Sequence, residues 1–473
     1  MGKLIFQAAT TTNLVHRRAY VLIALVVSMV TASGFASVAE AVPPTAWGSS
    51  GPGQVVLMYQ GSATAPKLKV GTTIRQVRQQ MRSAKFQDTT ALAKSDLNAA
   101  ARPDATPKAT VPEVIDGSVQ NYYLKTRVGK RAANAGGVTP SDASNGVVDF
   151  AGCASNPAGG GSAGTILNHF NYCEWKVVSY IVFVNGVLVA SYSAKRVTIG
   201  FGSTTARAVT VSISLRDFAF VGAVVPSSVW TAGLSIGAFP VGGTSIAAPS
   251  APVSMRYTAW PQNFISYTIV GSSNTTYGLD KLTLGVWNTY VHFQTAGANP
   301  SSDTVSPQSG NRYDSAPYLT TTSGAIFDRV IPVMNYSLSD PKAGPVARHI
   351  QYAFSDPNAT FPIKSGSKDI PGNARKQPFE FLTRLYSGYD QAQYNLNRTT
   401  TASMCTKLPP VAGSQCDEYP FASTYEGSAK GDGNYSLQRL DATANLSAGG
   451  KLSAWFSSDR ILHKDKFLIS INA

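Results

Sequence analysis

The stretch QCDEYPFASTYEG, residues 415–427, sets two adjacent acids, Asp417 and Glu418, behind Cys416. The Tyr419-Pro420 pair restricts the backbone after them, and a third acid, Glu426, follows nine residues on from Asp417. On a strand, Asp417 and Glu418 point to opposite faces. One of them can then face a shared cleft while the other orients an arginine or a backbone amide. Downstream, Asn445 precedes a segment, residues 448–456, that reads as a helix.

Phosphodiester hydrolysis needs a base for water, a hard cation for the phosphate and leaving oxygens, and positive groups to place the backbone. Hard cations such as Mg²⁺ take carboxylate and amide oxygens and keep several waters. Asp417, Glu418, Glu426, Asp432, Asp441 and Asn445 supply such oxygens, and Arg375, Arg384, Arg398, Lys451 and Lys466 supply charge. His349 and His463 both lie away from the acids in sequence, so a histidine-based hydrolase or a two-histidine zinc site is not expected. Residues 323–473 lack a Gly-x-Ser-x-Gly elbow as well. The bland reading of the same residues is a set of surface ion-pair partners, with Asn445 as a helix cap.

Upstream of the acids, residues 327–336 read as a strand and residues 344–354 as a helix with Val346, His349, Ile350 and Ala353 on one face. Residues 297–322 are rich in Ser, Thr, Asn and Pro and read as a linker or long loop. Residues 147–322, of which that loop is the end, carry β patterning. The runs 175–184 and 187–192 flank Asn185-Gly186, a type I′ hairpin signal. In residues 207–220, Val209, Val211, Ile213 and Leu215 alternate with Thr210, Ser212 and Ser214. Residues 256–270 and 281–293 continue the pattern, as in a β-sandwich. His169 and His292 are isolated, so this domain reads as a binding or spacing module whose ligand the sequence does not identify, a cell-envelope or glycan ligand being one candidate.

The N-terminal part has a different character. Residues 73–101 place Ile74, Val77, Met81, Leu92 and Leu97 at helical spacing among Arg75, Arg78, Arg82 and Lys85. They read as a propeptide or surface-binding segment, or as an ordinary helix packed on the domain behind it. Residues 42–70 read as an extended leader and residues 132–146 as a linker, with Lys130-Arg131 as a protease site. Lys3, Arg17 and Arg18 precede an apolar run and an Ala39-Glu40-Ala41 tail, the order of a secretory signal cleaved after Ala41. The run is too short to span a bilayer.

The chain has 473 residues, 14% charged, with a net charge of +14. Two or three domains are expected, and a polyanionic partner is favoured. Export puts the four cysteines in an oxidising compartment. The simplest of three connectivities pairs Cys153 with Cys173 and Cys405 with Cys416, and a zinc site lacks the Cys-x-x-Cys spacing.

Residues 416–424, CDEYPFAST, followed by Glu426-Gly427, resemble the signature of the NucA/NucB family of secreted bacterial deoxyribonucleases. Weaker matches fall in order. Arg329-Val330-Ile331-Pro332-Val333 looks like the family's first strand, and Arg348-His349-Ile350 with Ala353 like its first helix. Arg384 and Arg398 sit in its arginine-bearing middle. Asn445 with Ala448-Gly449 is similar to a downstream segment, and Phe467-Leu468-Ile469 to the closing strand. The resemblance implies a ββα-metal fold in which an aspartate replaces the usual histidine base. It makes Asp417 the base with Glu418 in support, and Glu426 and Asn445 the residues of an Mg²⁺ or Mn²⁺ site. Cys416 stands where short members carry a charged residue, so the Cys405–Cys416 bridge belongs to longer relatives.

The expected architecture is a multidomain chain. A signal peptide (1–41) and a basic helical leader (42–146) precede a central all-β, sandwich-like domain (147–322). An α+β nuclease domain of ββα-metal type (323–473) follows. The expected function is a secreted, metal-dependent endonuclease cutting DNA with little sequence preference and no stable protein partner; the sequence leaves open whether RNA is also cut. Arg384, Arg398 and Lys466 are the expected phosphate contacts. The alternatives are a non-enzymatic surface protein with a degenerate nuclease domain, or a nuclease toxin delivered to competitors.

Overall fold

A computed structural model describes residues 54–89, 148–161, 165–222, 231–241, 246–247, 253–271, 276, 278–294, 303–305, 309–328 and 330–473. The expected signal peptide, the protease site, the 132–146 linker and Arg329 lie outside these residues. The described structure is mostly β, with few helices.

Local turn chemistry and period-two patterning build the central region. Strands β4 (Asn171–Val184) and β5 (Val187–Phe201) pair across Asn185-Gly186, whose φ angles of 48° and 79° satisfy a type I′ turn. In β6 (Ala208–Val221) the side chains of Val209, Val211, Ile213 and Leu215 are fully buried. These strands join β1 (Gln54–Gly61), β2 (Gln87–Asp88), β3 (Thr165–Asn168), β8 (Ile246–Ala247) and β10 (Ile265–Gly271) in an eight-stranded antiparallel sheet. Its order is β2-β1-β4-β5-β6-β10-β8, with β3 on β4. The second sheet combines β7 (Thr231–Val241), β9 (Val253–Arg256), β11 (Thr283–Gln294), β12 (Asp303–Val305), β13 (Ser309–Ser315) and β14 (Ser323–Ile326). Its order is β14-β13-β11-β7-β9, with β12 on β11. Val211 and Ile213 of the first sheet share one core with Leu234, Trp287 and Val291 of the second, so the sheets pack face to face.

Two segments differ from the sequence reading. The expected leader contains β1, which pairs with β4 along its whole length, from Gln54↔Val184 to Gly61↔Val177. It also contains helix α1 (Ile74–Ser83), started by a Thr73/Gln76 capping box. α1 lays Val77 and Met81 on Leu57, Tyr59, Ile181 and Phe183, so its apolar stripe is spent on the β body. Of the two readings of this helix, the structure has the packed one. The second difference is the expected linker at 297–322, which contains β12 and the buried β13.

The C-terminal region has its own small sheet. Strand β15 (Val333–Ser337) runs parallel to β19 (Lys466–Asn472), and β16 (Leu382–Thr383) pairs antiparallel on the other side. β15 is shorter than the strand expected at 327–336. Helix α2 (Phe150–Ser155) belongs to the β body. Helix α3 (Gly344–Ser355) buries Val346, His349, Ile350 and Ala353 on the expected face. Disulfides join Cys153 to Cys173 and Cys405 to Cys416. No helix among the described residues is long and apolar enough to cross a membrane.

The β body and the C-terminal region are fused rather than tethered. Val330, Val333, Ala374 and Leu468 belong to the same core as the two sheets. Arg460 and Asp314, neither exposed, form an ion pair across the joint. The Arg460 guanidinium also donates to the carbonyls of Thr204 (3.2 Å), Thr321 (2.9 Å) and Thr322 (3.0 Å). Arg312 reaches Asp465 at 2.7 Å and the Arg460 carbonyl at 2.7 Å. The joint is buried and charge-paired.

Removing one member of a buried ion pair strands the other without solvent. Arg460→Ala is therefore expected to destabilise the protein by about 3–5 kcal/mol, read as a fall in the urea midpoint. An unchanged midpoint would contradict this account of the joint.

Candidate active site

The quoted acids sit on strand β17 (Ser414–Tyr419), which pairs antiparallel with β18 (Ser436–Asp441). Helix α5 (Ala442–Ser458) follows immediately. It begins before the expected residue 448 because Asp441 Oδ1 accepts the Ala444 amide hydrogen at 2.9 Å, capping the helix there. Asn445 thus lies inside the first turns rather than at the cap. The result is a strand, strand, helix unit, with helix α4 (Gln391–Cys405) stapled to β17 by the Cys405–Cys416 bridge.

A cleft of about 830 Å³ opens between these elements, lined by Asp417, Glu418, Asn445, Arg384 and Arg398 among others. Asp417 is 5% exposed. Its Oδ2 accepts a hydrogen bond from His349 Nδ1 at 2.5 Å, and His349 Nε2 meets Ser436 Oγ at 2.7 Å. A carboxylate cannot donate, so Nδ1 carries the hydrogen. This corrects the expectation that neither histidine lies beside the acids. His349 is 68 residues from Asp417 in sequence, and only the packing of α3 on the hairpin joins them.

Glu418, on the opposite face of β17, accepts the Ala422 amide at 3.2 Å. Burial raises its pKa, and the Arg398 guanidinium is among the groups opposing that rise. Arg398 itself is exposed on α4. Asn445 donates its amide to Gln415 Oε1 (3.3 Å) and to the Cys416 carbonyl (3.4 Å), which leaves its own carbonyl oxygen available.

Three expected site residues have other duties. Glu426 does not line the cleft. Its Oε2 accepts the Thr383 backbone amide at 2.7 Å, and burial raises its pKa. Gly427 beside it leaves room for Asn397, because a Cβ there would come within 2.5 Å of the Asn397 amide. Fully buried Asn397 holds the loop after the acids by donating to the Ala422 and Thr424 carbonyls at 3.0 and 2.9 Å. The Arg384 guanidinium is buried, donates to the Ile461 carbonyl and lies 4.5 Å from the Phe456 ring centroid. Burial lowers its pKa. It walls the cleft rather than reaching into it. Lys466 lies over Phe381 at 5.2 Å and does not line the cleft.

Among the described residues, no three His, Cys, Asp or Glu side chains converge as a complete metal cage. A sparse set of one or two carboxylates and an amide oxygen does not suit zinc. It does suit a hard cation that keeps its waters and shares substrate phosphate.

Residues 379–470 match the family model described as Deoxyribonuclease NucA/NucB. The C-terminal region is thus a NucA/NucB-type nuclease domain, and the match stops short of His349 and of the β body. No curated protein matches the chain, and no solved structure does.

His463 is expected to give the region a pH response. Its Nδ1 accepts the Tyr386 amide at 3.1 Å, and burial is the main cause that lowers its pKa below 6.5. Protonation removes that acceptor. A depressed pKa contributes stability that is present above pH 6.5 and lost as the pH falls through the folded value. The thermal midpoint should therefore fall more between pH 7.5 and 5 in the wild type than in His463→Gln. Equal falls would remove His463 from this account.

Proposed function

We propose that the chain is an exported, Mg²⁺- or Mn²⁺-dependent endonuclease that cuts DNA with little sequence preference. The observation that carries this reading is Asp417, held at the cleft by His349 within a strand, strand, helix unit that falls in a nuclease-family segment. The net charge of +14 supports a polyanionic substrate, bound mainly through its phosphates.

Each group has a chemical task. His349 Nδ1–H occupies Oδ2 of Asp417, which fixes the carboxylate and leaves Oδ1 to accept a proton from the attacking water. The Ser436 hydroxyl at Nε2 keeps the imidazole in the tautomer that donates to Asp417. Arg398 neutralises the phosphate. Glu418 and Asn445 present the oxygens that would hold the cation. Once bound, the cation lowers the pKa of nearby water and offsets charge developing on phosphate, which compensates for aspartate being a weak base. Glu426 and Gly427 act through the loop rather than at the cation.

Three outcomes are expected. Wild-type protein nicks plasmid in Mg²⁺ or Mn²⁺ and stops on addition of EDTA, while folded Asp417→Ala is inactive. Full activity in that variant would sink the assignment, and no nicking by wild type would favour the non-enzymatic surface protein. Arg398→Ala should weaken DNA binding and reduce the slope of log affinity against log salt by about 1. Loss of activity without a slope change would move Arg398 out of the phosphate site. Finally, His349→Leu should lower kcat about 10–100-fold, the scale of a lost orienting partner. His349→Asn, whose amide can replace Nδ1–H, should recover most of it, and equal loss in both variants would refute the orienting role.

A further inference from the structure

One wall of the cleft comes from outside the family-matched segment. Tyr318 belongs to the β body, in the turn after β13, yet it lines the cleft together with Tyr386, Tyr394 and Arg398. The turn is pinned there because Ala316 and Leu319 are buried with Leu462. The Tyr318 hydroxyl donates to Asp280 Oδ2 at 2.8 Å and accepts the His463 amide at 2.9 Å. Tyr389 donates to the other Asp280 oxygen at 2.9 Å. The ring is thus fixed before any ligand arrives.

The Tyr318 and Tyr386 rings stack at 3.9 Å with planes 18° apart. Both are half-buried, as is Tyr394. Tyr394 precedes Arg398 by four residues on α4, so its ring and the guanidinium occupy one helix face. Aromatic rings beside an exposed cation form the composition of grooves that bind single strands, where bases stack and phosphates pair. A base inside a duplex already has both faces covered and gains little from such a shelf.

We infer that Tyr318, Tyr386 and Tyr394 form a shelf for an unpaired nucleobase flanking the scissile phosphate. The favoured substrate is then single-stranded DNA, and the β body is a specificity-determining part of the nuclease. This rests on the hydrolytic reading only for which phosphate reacts.

The full chain is tested on one labelled oligonucleotide, alone and annealed to its complement. Wild type should show a higher kcat/KM on the single strand, and Tyr386→Leu should lower the single-strand to duplex ratio roughly tenfold, the scale of one lost base stack. Tyr394→Leu carries the same test should Tyr386→Leu fail to fold. Separately, a single strand containing 2-aminopurine is bound in EDTA. Its fluorescence should be quenched by wild type and recover in the leucine variants. An unchanged ratio in folded variants, or quenching that ignores both substitutions, overturns the shelf. If wild type cuts neither substrate but quenching still depends on Tyr386, hydrolysis is refuted while the shelf stands.

Discussion

The buried contact between Arg460 and Asp314 fixes the register in which the β body and the C-terminal region meet. An unpaired guanidinium or carboxylate at zero exposure would be very costly, so the two regions must meet in the register that pairs them. Three carbonyls complete the guanidinium's donors, from β-body residues at 204, 321 and 322. Gly324 lacks a Cβ at the point where one would strike this guanidinium. Hydrophobic contact could tolerate sliding at such a joint. A forked charge pair with fixed acceptors does not, and the turn carrying Tyr318 inherits that precision.

Within the C-terminal region a second set of polar contacts divides the family-like motif into two kinds of residue. Asp417 and Glu418 face the cleft from opposite sides of one strand, and the partners of each come from a different helix. Glu426 and Gly427, equally prominent in the sequence, instead shape the loop that follows. Glu426 anchors it to β16, and Gly427 yields space to Asn397. A motif can therefore be compact in sequence while only part of it touches the chemistry.

What was legible in the sequence was local. Asn185-Gly186 and the alternation at 209–215 carry their own geometry, and the amphipathic stripe of α3 placed His349 on a buried face. What was not legible depended on distant partners. β1 sits in a Gly- and Pro-rich stretch, and its identity as a strand comes from pairing with β4. β13, SGNRYDS, reads as a loop because it is polar. Arg312 and Asp314 are polar there because Asp465 and Arg460 of the C-terminal region meet them. The Asp417–His349 contact was hidden for the same reason. Asn397 had no sequence signal, since nothing in an amide on a helix announces which loop it will hold.

Strand β19 lies between β15 and β16, paired with both, and it follows every other described element in chain order. Ribosomal synthesis runs in that same direction. A partly made chain can carry the acids, the hairpin and all the described helices while the middle of this sheet is still missing. Leu468 and Ile469, each fully buried, would then leave both the shared core and the core under α3 unfilled. Both cores are therefore complete only once residues 466–472 are present.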